Sequence, residues 1–392
     1  MKEKLKLLPG IVFILCIYSL CALFYFNPKQ EYSELEKRKL QTLPKLKAST
    51  FLSEKFQNEY ENYLSDHFPK RELFVNLKSR TDILLGKRDI NDVYVGKDDY
   101  IIEKFSDDDF KEELVDDNAW YMVNLLCAMQ DKYGEGHVNC ILIPAKDRVM
   151  KDRLPSYAKP YDTSYVYSLF EKYEQEFGTK LNCIYDFSDI LYAHKNENIY
   201  YKTDHHWTTL GAYYAYEEYK KLQGETAPPW SDYDKKVVSK DFYGTSYNKL
   251  QIKLSPDEII KATLNGEKEP LSVSNGIGKE EKAMEGLYVT SELETADKYN
   301  YFLGGNYDLV HIKTGVENEK TLLLIKDSFS NSFVPFLTQD YGHIYMLDPR
   351  YMSVKMKNYL KGIELENEIT DVLVMMNMQK FMQNKDMWRT EE

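Results

Sequence analysis

The sequence predicts an α/β fold with a mostly parallel sheet covered on both faces. Short uninterrupted apolar runs, typical of strands buried on both sides, recur along the chain. Segments with apolar residues at helical spacing lie between many of them, and this alternation favours strand–helix–strand units over hairpins. The predicted strands span residues 140–143, 181–187, 309–312, 321–325, 344–347 and 372–376, and the predicted helices include 165–177 and 209–222.

Length and charge bound the class of protein. A chain of 392 residues, 43% of them hydrophobic, has room for one large domain or two ordinary ones. A net charge of −12 argues against nucleic acid as a main partner, because phosphate backbones are bound by basic surfaces. The 33 Tyr and 4 Trp are compatible with polysaccharide binding, since aromatic rings stack on sugars, but Tyr is equally a common packing residue.

The N-terminal segment predicts a membrane anchor. Three lysines in residues 1–6 precede a continuous apolar or neutral stretch, residues 7–26, that is long enough to cross a bilayer core. The lysines predict a cytoplasmic tip, so a single pass through the cell membrane would leave the remaining chain outside the cytoplasm. A cleaved signal peptide is the alternative, but the stretch ends in Leu23-Phe24-Tyr25-Phe26 without a small-x-small cleavage site.

Composition also predicts the order of regions along the chain. Residues 1–26 form the cytoplasmic tip and transmembrane anchor, and the charged residues 27–47 form a linker. Residues 48–392 form the remaining domain, which opens on an amphipathic helical pattern. Within that domain, residues 255–296 are polar and lack a strong period, so they are predicted as an excursion on the surface.

Two short motifs hold the groups of a serine acyl-transfer site. Residues 203–207 combine an acid, two imidazoles and an indole, and Ser328 comes just after a predicted strand. Side chains two residues apart in an extended loop share one side, so Asp204 can orient His206 while His205 points away. His206 is then the predicted base for Ser328, since a serine hydroxyl is a weak nucleophile without a base in contact.

A strand–serine–helix junction is predicted around Ser328. Functional groups of open α/β sheets collect beyond the carboxyl ends of the strands. Residues 329–337 continue in a helical pattern, in which Pro335 is tolerated near the first turn. The backbone N–H groups at such a junction can stabilise a developing oxyanion. The alternative is that Asp327 and Ser328 simply cap a helix.

The acid and the two imidazoles are also candidate metal ligands. No Cys or carboxylate stands at ligand spacing near Asp204, His205 and His206. The five cysteines of the chain include no C-x-x-C pair and predict neither a zinc site nor a disulfide framework. We therefore expect neither a metal nor another cofactor at this site.

Residues 203–207 match the signature of the bacterial DHHW family. The sequence resembles that family over most of its length beyond the apolar N-terminus, and DHHW proteins are in turn similar to SGNH-like O-acetyltransferases of alginate and other exopolysaccharides. In those proteins an Asp-x-His motif precedes a distant Ser. The further segments that look like the family are 66–69, 92–97, 242–245, 297–299, 302–306 and 326–328.

The resemblance implies an SGNH-like three-layer α/β/α catalytic domain with circularly permuted motifs, and it assigns Asp204, His206 and Ser328 to a triad. Ordinary SGNH hydrolases place the Ser block first and have one more residue between acid and base, and Lys326 stands where Gly is usual. The implied function is a membrane-anchored, extracytoplasmic O-acetyltransferase that moves acetyl groups through an acetyl-serine to a cell-surface or secreted polysaccharide. An integral-membrane acyl transferase is the implied acetyl source.

Two other functions use the same residues or the same fold. A carbohydrate acetylesterase would need the same triad, with water instead of a sugar attacking the acyl-enzyme. A non-catalytic polysaccharide-binding scaffold would need only the fold. The sequence alone leaves both alternatives open.

Four residues are candidates for oxyanion or substrate contacts. Asn306 follows a Gly-Gly pair and Arg350 follows an Asp-Pro pair, and both are candidate oxyanion donors beside the backbone of Ser328. Trp207 and Tyr201 flank the Asp-x-His motif and are candidate substrate contacts. The alternatives are that Asn306 only completes a turn, that Arg350 is solvated, and that Trp207 packs.

Overall fold

A computed structural model of the chain describes residues 2–33, 38–47, 51, 53–250, 252, 254–266, 269–278 and 281–391. The chain divides into two compact units. The first comprises Met1–Ile90 and Asn248–Lys253, and the second comprises Asn91–Tyr247 and Leu254–Glu392.

The first unit is mainly helical. Its elements are α1 (Lys2–Phe26), β1 (Tyr32–Ser33), β2 (Arg38–Lys39), α2 (Glu54–Asp66), α3 (Arg71–Leu84) and β3 (Asp89–Ile90). Within α1, the segment Leu8–Phe26 has a mean hydropathy of 2.2 and none of it is buried, so it has the length and composition of a membrane-spanning helix. A signal sequence near an N-terminus has the same properties, and the anchor over residues 1–26 stays a prediction.

The second unit alternates strands and helices as the sequence predicts. Most of the predicted strands and helices lie within one or two residues of the observed ones. The elements are β4 (Val93–Val95), β5 (Ile101–Glu103), α4 (Glu112–Tyr133), β6 (Val138–Ile143), α5 (Lys146–Val149), α6 (Ser164–Phe177), β7 (Ile184–Asp186), α7 (Ser188–Ala193), α8 (Thr209–Leu222), β8 (Tyr233–Phe242), α9 (Thr245–Leu250, continuing past the unit boundary), β9 (Asp257–Leu264), β10 (Ser272–Asn275), β11 (Lys282–Ala283), β12 (Leu309–Lys313), β13 (Thr321–Lys326), α10 (Val334–Leu337), β14 (His343–Leu347), α11 (Met356–Glu366), β15 (Asp371–Asn377) and α12 (Met378–Met382).

The main sheet is mixed. Among the described residues it has eight strands in the order β11-β10-β12-β14-β13-β15-β6-β7. Each neighbouring pair from β14 to β7 is parallel, whereas β12, β10 and β11 pair antiparallel with their neighbours. The predicted mostly parallel sheet therefore holds only for the five strands at one side. The other side departs from it because antiparallel neighbours need no crossover helix, the feature on which the prediction depended.

Alternate residues of the central strands enter two separate hydrophobic cores. In β13, Leu322 and Leu324 belong to the core that contains residues of α8, whereas Leu323 and Ile325 belong to the core that contains residues of α4, α6 and α11. Helices thus cover both faces of the sheet. This explains why the strands appear in the sequence as continuous apolar runs instead of alternating ones.

The polar segment 255–296 contains strands. Its first strand, β9, pairs antiparallel with β8, and the register of that pair shifts twice along β8, between Val237 and Ser239 and between Ser239 and Phe242. β10, from the same segment, joins the main sheet beside β12.

Candidate active site

The motif 203–207 forms a tight loop just before α8. The backbone N–H of Tyr201 donates to the carbonyl of His206 (3.2 Å), which closes the loop on itself. Thr203 anchors the loop to Asp257, because the hydroxyl and the backbone N–H of Thr203 both donate to Oδ2 of Asp257 (2.6 and 2.8 Å). The loop is therefore held both by its own backbone and by the carboxylate of Asp257 from a distant part of the chain.

Ser328 lies immediately past the carboxyl end of β13. Asp327 fixes this junction, since its Oδ1 accepts from the backbone N–H of Phe329 (2.9 Å) and its Oδ2 accepts from the backbone N–H of Asn377 at the end of β15 (2.8 Å). Asp327 thus caps the turn that follows it, in agreement with the alternative that Asp327 and Ser328 act as capping residues. The long helix predicted over 329–337 is absent from this described stretch, which has a 3-10 turn at Ser328–Asn331 and the four-residue α10.

The side chains of Asp204, His206 and Ser328 form one hydrogen-bonded chain. Nδ1 of His206 lies 2.6 Å from Oδ1 of Asp204, and Nε2 of His206 lies 2.8 Å from Oγ of Ser328. A carboxylate only accepts hydrogen bonds, so Nδ1 carries the proton of the neutral imidazole and Nε2 is free to accept the serine proton. This is the arrangement that general-base activation of a serine requires.

The carboxylate of Asp204 is buried and held on every side. Its Oδ2 accepts from the backbone N–H and the hydroxyl of Thr245 (2.8 and 3.1 Å), and its Oδ1 also accepts from the backbone N–H of His206 (2.9 Å). Burial by itself raises the pKa of Asp204, but the imidazoles of His205 and His206 and these hydrogen bonds outweigh it, and the pKa lies well below its ordinary value. Asp204 is therefore ionised over the whole physiological range.

The close approach of Thr245 to Asp204 depends on Gly244. A Cβ placed on Gly244 would lie 2.1 Å from Cβ of Asp204 and 2.2 Å from its Oδ2. The segment 242–245 therefore contributes to the site because Gly244 has no side chain. Only the tertiary structure shows this role.

His205 contacts Thr245, and its ring lies against the imidazole of His206, with ring centroids 3.9 Å apart. Its Nδ1 lies 2.6 Å from the hydroxyl of Thr245, and burial, together with the close approach of a second imidazole on His206, lowers its pKa to about 3. Asp204, His205 and His206 do offer three ligand atoms within 4.8 Å of one another, the arrangement behind the metal alternative. Both ring nitrogens of His206 are already engaged by Asp204 and Ser328.

Tyr299 is a site residue that sequence reasoning missed. Its ring stacks on the imidazole of His206, with centroids 3.7 Å apart and planes inclined by 7°. Its hydroxyl contacts the carbonyl of Ser328 and the hydroxyl of Ser332, each at 3.1 Å, and burial raises its pKa well above the usual value, so the hydroxyl stays protonated. The only signal was its place in the family-like segment 297–299, which gave no role.

For the serine acyl transfer that the family resemblance implies, we expect Tyr299→Leu to lower kcat by about 10- to 100-fold, because the imidazole loses the ring that fixes its plane and favours its cationic form. Tyr299→Phe keeps the ring and should cost only about a few-fold. Steady-state kinetics with an activated acetyl ester would measure both. Tyr301→Leu, in the same aromatic cluster, is the matched control for lost packing. A wild-type kcat in Tyr299→Leu would refute the expected role.

The two candidate oxyanion donors lie in one polar network beside Ser328. Oδ1 of Asn306 accepts from Nζ of Lys326 (2.9 Å) and from Nδ2 of Asn331 (3.3 Å). Arg350 forms a two-point ion pair with the fully buried Asp348, whose Oδ2 also lies 3.6 Å from Nζ of Lys326. Burial lowers the pKa of Lys326 to about 8, against the attraction of Asp348. Arg350 is thus paired with a buried carboxylate while its own side chain stays partly exposed, and Asn306 is held by residues that flank Ser328.

Trp207 and Tyr201 were predicted to contact the substrate, and the burial of their side chains contradicts this prediction. Both side chains are fully buried. The indole N–H of Trp207 donates to the carbonyl of Phe329 and the hydroxyl of Ser332, both at 3.0 Å, and Tyr201 packs edge-on against Phe242. These residues tie the motif loop to the Ser328 turn and to the neighbouring core, and a sugar cannot stack on either ring in this structure.

The fold and the site together define a class of protein. It is an α/β protein with a buried Ser–His–Asp constellation at the carboxyl ends of parallel strands. The chain belongs to the DHHW protein family, whose model matches residues 122–347, more than half of its length. No curated protein matches the sequence.

Several solved structures share the fold. A DHHW family protein from Eubacterium siraeum is 22% identical at a TM-score of 0.56, and the match covers 76% of this chain and 94% of that one. Bacillus cereus PatB1, also solved with a sulfonyl adduct, is 19% identical at a TM-score of 0.59, over 76% of this chain and 98% of that one. The O-acetyltransferase domain of Pseudomonas putida AlgJ is 16% identical at a TM-score of only 0.45, and the match covers 75% of this chain and 93% of that one.

Proposed function

We propose that this chain is an extracytoplasmic O-acetyltransferase that moves acetyl groups to a polysaccharide through an acetyl-serine at Ser328. The observation that carries the proposal is the position of the His206 imidazole, whose two nitrogens contact Asp204 and Ser328 at 2.6 and 2.8 Å. Three groups with these chemistries in this order are the working parts of serine acyl transfer.

The first half-reaction acylates the serine. Oγ of Ser328 attacks the carbonyl carbon of a donor acetyl ester while Nε2 of His206 takes the hydroxyl proton. Asp204 stabilises the imidazolium that forms, aided by the stacked ring of Tyr299. The tetrahedral intermediate then collapses, the donor oxygen leaves with the proton from His206, and Ser328 holds the acetyl group.

The second half-reaction reverses these roles with a new nucleophile. A sugar hydroxyl gives its proton to Nε2 of His206 and attacks the acetyl-serine, and the serine oxygen leaves and regains that proton. Attack by water in place of the sugar would make the same site an acetylesterase. The difference between the two activities therefore lies in what reaches the acyl-enzyme and not in the triad.

The oxyanion is proposed to be stabilised by the backbone N–H of Ser328 and by the side chain of Asn306. The amide oxygen of Asn306 accepts from Lys326 and Asn331, and this bonding leaves its amide nitrogen as the group that can donate. Arg350 contributes indirectly, because its ion pair with Asp348 helps to hold Lys326, which in turn donates to Asn306.

The domain arrangement of the proposal follows the sequence prediction. Residues 48–392 would be an SGNH-like three-layer catalytic domain with permuted motifs, whose sheet and site residues all belong to the second compact unit. Helices on both faces of the sheet and a nucleophile after the Asp-x-His motif support this. Residues 1–26 would be a cytoplasmic tip and single membrane anchor, and 27–47 a linker. The acetyl group would come from an integral-membrane acyl transferase, since the proposed domain lies outside the cytoplasm.

A serine-reactive sulfonyl fluoride tests the nucleophile. We expect the full-length protein in detergent to form a covalent sulfonyl adduct on Ser328, detected by peptide mass spectrometry, and His206→Ala to form almost none. PatB1, a protein of the same fold, has been solved with a sulfonyl adduct. Absence of an adduct on Ser328 in the wild-type chain would favour the non-catalytic scaffold.

The fate of the acetyl group then distinguishes a transferase from an esterase. The protein is incubated with an activated acetyl ester, with and without a panel of cell-envelope glycans. Acetyl recovered on a glycan supports the transferase, and acetyl recovered only as free acetate in every mixture supports the esterase.

A further inference from the structure

A buried lysine lies behind the motif loop. Lys146 is the first residue of α5, three positions past the last residue of β6, and it is only 3% exposed. An ammonium group is costly to bury unless each of its donors finds a partner. The partners of Lys146 therefore indicate why the chain places a charge at this position.

All three donors of the ammonium go to the same short loop. Nζ of Lys146 donates to the backbone carbonyls of Tyr201 (3.0 Å), Lys202 (3.3 Å) and Asp204 (2.5 Å). An ammonium group has three N–H donors, and three converging carbonyls would repel one another without a cation between them. The backbone that carries Asp204 and His206 is thus folded around a charge supplied from another element.

Several charged groups face Lys146. Burial lowers its pKa to about 8, while Asp204, Asp257 and Glu103 favour its charged form. Asp147 is its neighbour in the chain, and burial raises the pKa of that carboxyl to about 6. His205 and Lys380 line the small cavity to which Lys146 also contributes. The cation therefore sits among acids and contacts the loop only through carbonyl oxygens.

We propose that Lys146 is a positioning residue, which acts as a built-in cation that shapes the Asp204–His206 loop and sets the charge balance around the imidazole. The inference rests on the proposed acyl-transfer function of the same site. Lys146 touches none of the reacting groups proposed above, so its effect reaches Ser328 only through Asp204 and His206.

Lys146→Met tests the charge with the length of the side chain preserved. We expect acylation of Ser328 by an activated acetyl ester to slow by about 10-fold or more, because the loop is no longer drawn together. Lys159→Met, at an exposed position nearby in the chain, is the matched control and should stay within about twofold of wild type.

The pH–rate profile separates positioning from a purely structural role. Loss of a nearby cation favours a protonated imidazole, so the midpoint of the acidic limb should rise in Lys146→Met by about half a pH unit. The comparison is made in an Asp147→Asn background, which removes that titrating carboxyl from the profile. A midpoint equal to that of the background protein would overturn the inference, even if the rate and the melting temperature both fall.

Chemical rescue tests the hydrogen bonds. Lys146→Ala leaves the three carbonyls and a space of about the size of the missing side chain, which propylammonium can fill with three N–H donors. We expect propylammonium to restore acylation several-fold at constant ionic strength, and tetramethylammonium, which has the charge but no N–H, to restore none. Equal restoration by the two cations, or none by propylammonium, would overturn the hydrogen-bonding part of the inference.

The wild-type chain tells the two proposals apart. If it forms the Ser328 adduct and transfers acetyl, but Lys146→Met behaves like wild type in rate and profile, only the inference about Lys146 fails. If the wild-type chain neither forms the adduct nor releases or transfers acetyl, the proposed function fails, and the inference fails with it.

Discussion

Replacing Ser328 by Ala is expected to lower acyl transfer by about 10⁴-fold or more, the loss typical of removing the nucleophile from a serine site. His206 and Asp204 would stay in place, because their mutual hydrogen bonds do not involve Ser328. The fold should be nearly unaffected, since the change removes one hydroxyl and leaves no cavity larger than an oxygen atom. Rates with an activated acetyl ester and thermal unfolding of the same preparation would measure the two effects.

Ser330→Ala is the matched control for this prediction. Ser330 lies on the same 3-10 turn and is fully buried, but its hydroxyl makes only a long contact of 3.5 Å with the carbonyl of Met375. Its rate should remain close to that of wild type. A Ser328→Ala protein that retains acyl transfer within tenfold of wild type would rule out an acetyl-Ser328 intermediate, and with it the enzyme proposed above.

Gly244→Ala should produce the second largest loss, about 100-fold or more in kcat, together with a lower melting temperature. The added methyl group would overlap the carboxylate of Asp204, whose Oδ2 lies 2.2 Å from the position of the new Cβ. Either the carboxylate or the backbone at Thr245 must move, and each movement breaks hydrogen bonds that orient His206. A base without its orienting acid loses orders of magnitude in rate.

Two comparisons make the Gly244 result specific. Gly315→Ala places a methyl group in open space and should leave both kcat and the melting temperature close to wild type. Asp204→Asn removes the charge without a steric overlap, so it should lower kcat by a similar factor with a smaller loss of stability. An unchanged kcat in Gly244→Ala would mean that the position of Asp204 does not limit the reaction.

The elements of the second unit were largely predictable from local pattern. The helix predicted over 209–222 is α8, and the apolar run 321–325 is β13 with one added residue. A strand buried on both faces must be apolar along its length, so its pattern is local and visible. The sequence failed where local rules give no signal. The helix predicted over 329–337 is a 3-10 turn and a four-residue helix, because the side chain of Asp327 accepts from the backbone N–H of Phe329 and from that of the distant Asn377, which fixes the turn.

The chemistry of the candidate site was also visible locally. An acid and a base two residues apart, with a serine just past a strand, identify Asp204, His206 and Ser328 as groups that can work together. Burial was not visible. Trp207 and Tyr201 were predicted as substrate contacts because aromatic rings stack on sugars, but the exposure of a ring depends on what packs against it from elsewhere in the chain.

The amino-acid sequence by itself determined which chemical groups this protein has and which strands and helices carry most of them, since propensity, periodicity and short spacing act over a few residues. Only the tertiary structure decided how those groups are held. Tyr299 stacks on His206 from 93 positions away in the chain. Lys146 binds the motif loop across more than 50 positions, and Gly244 makes room for Asp204 from 40 positions downstream. Such contacts depend on the three-dimensional path of the backbone, which no local pattern encodes.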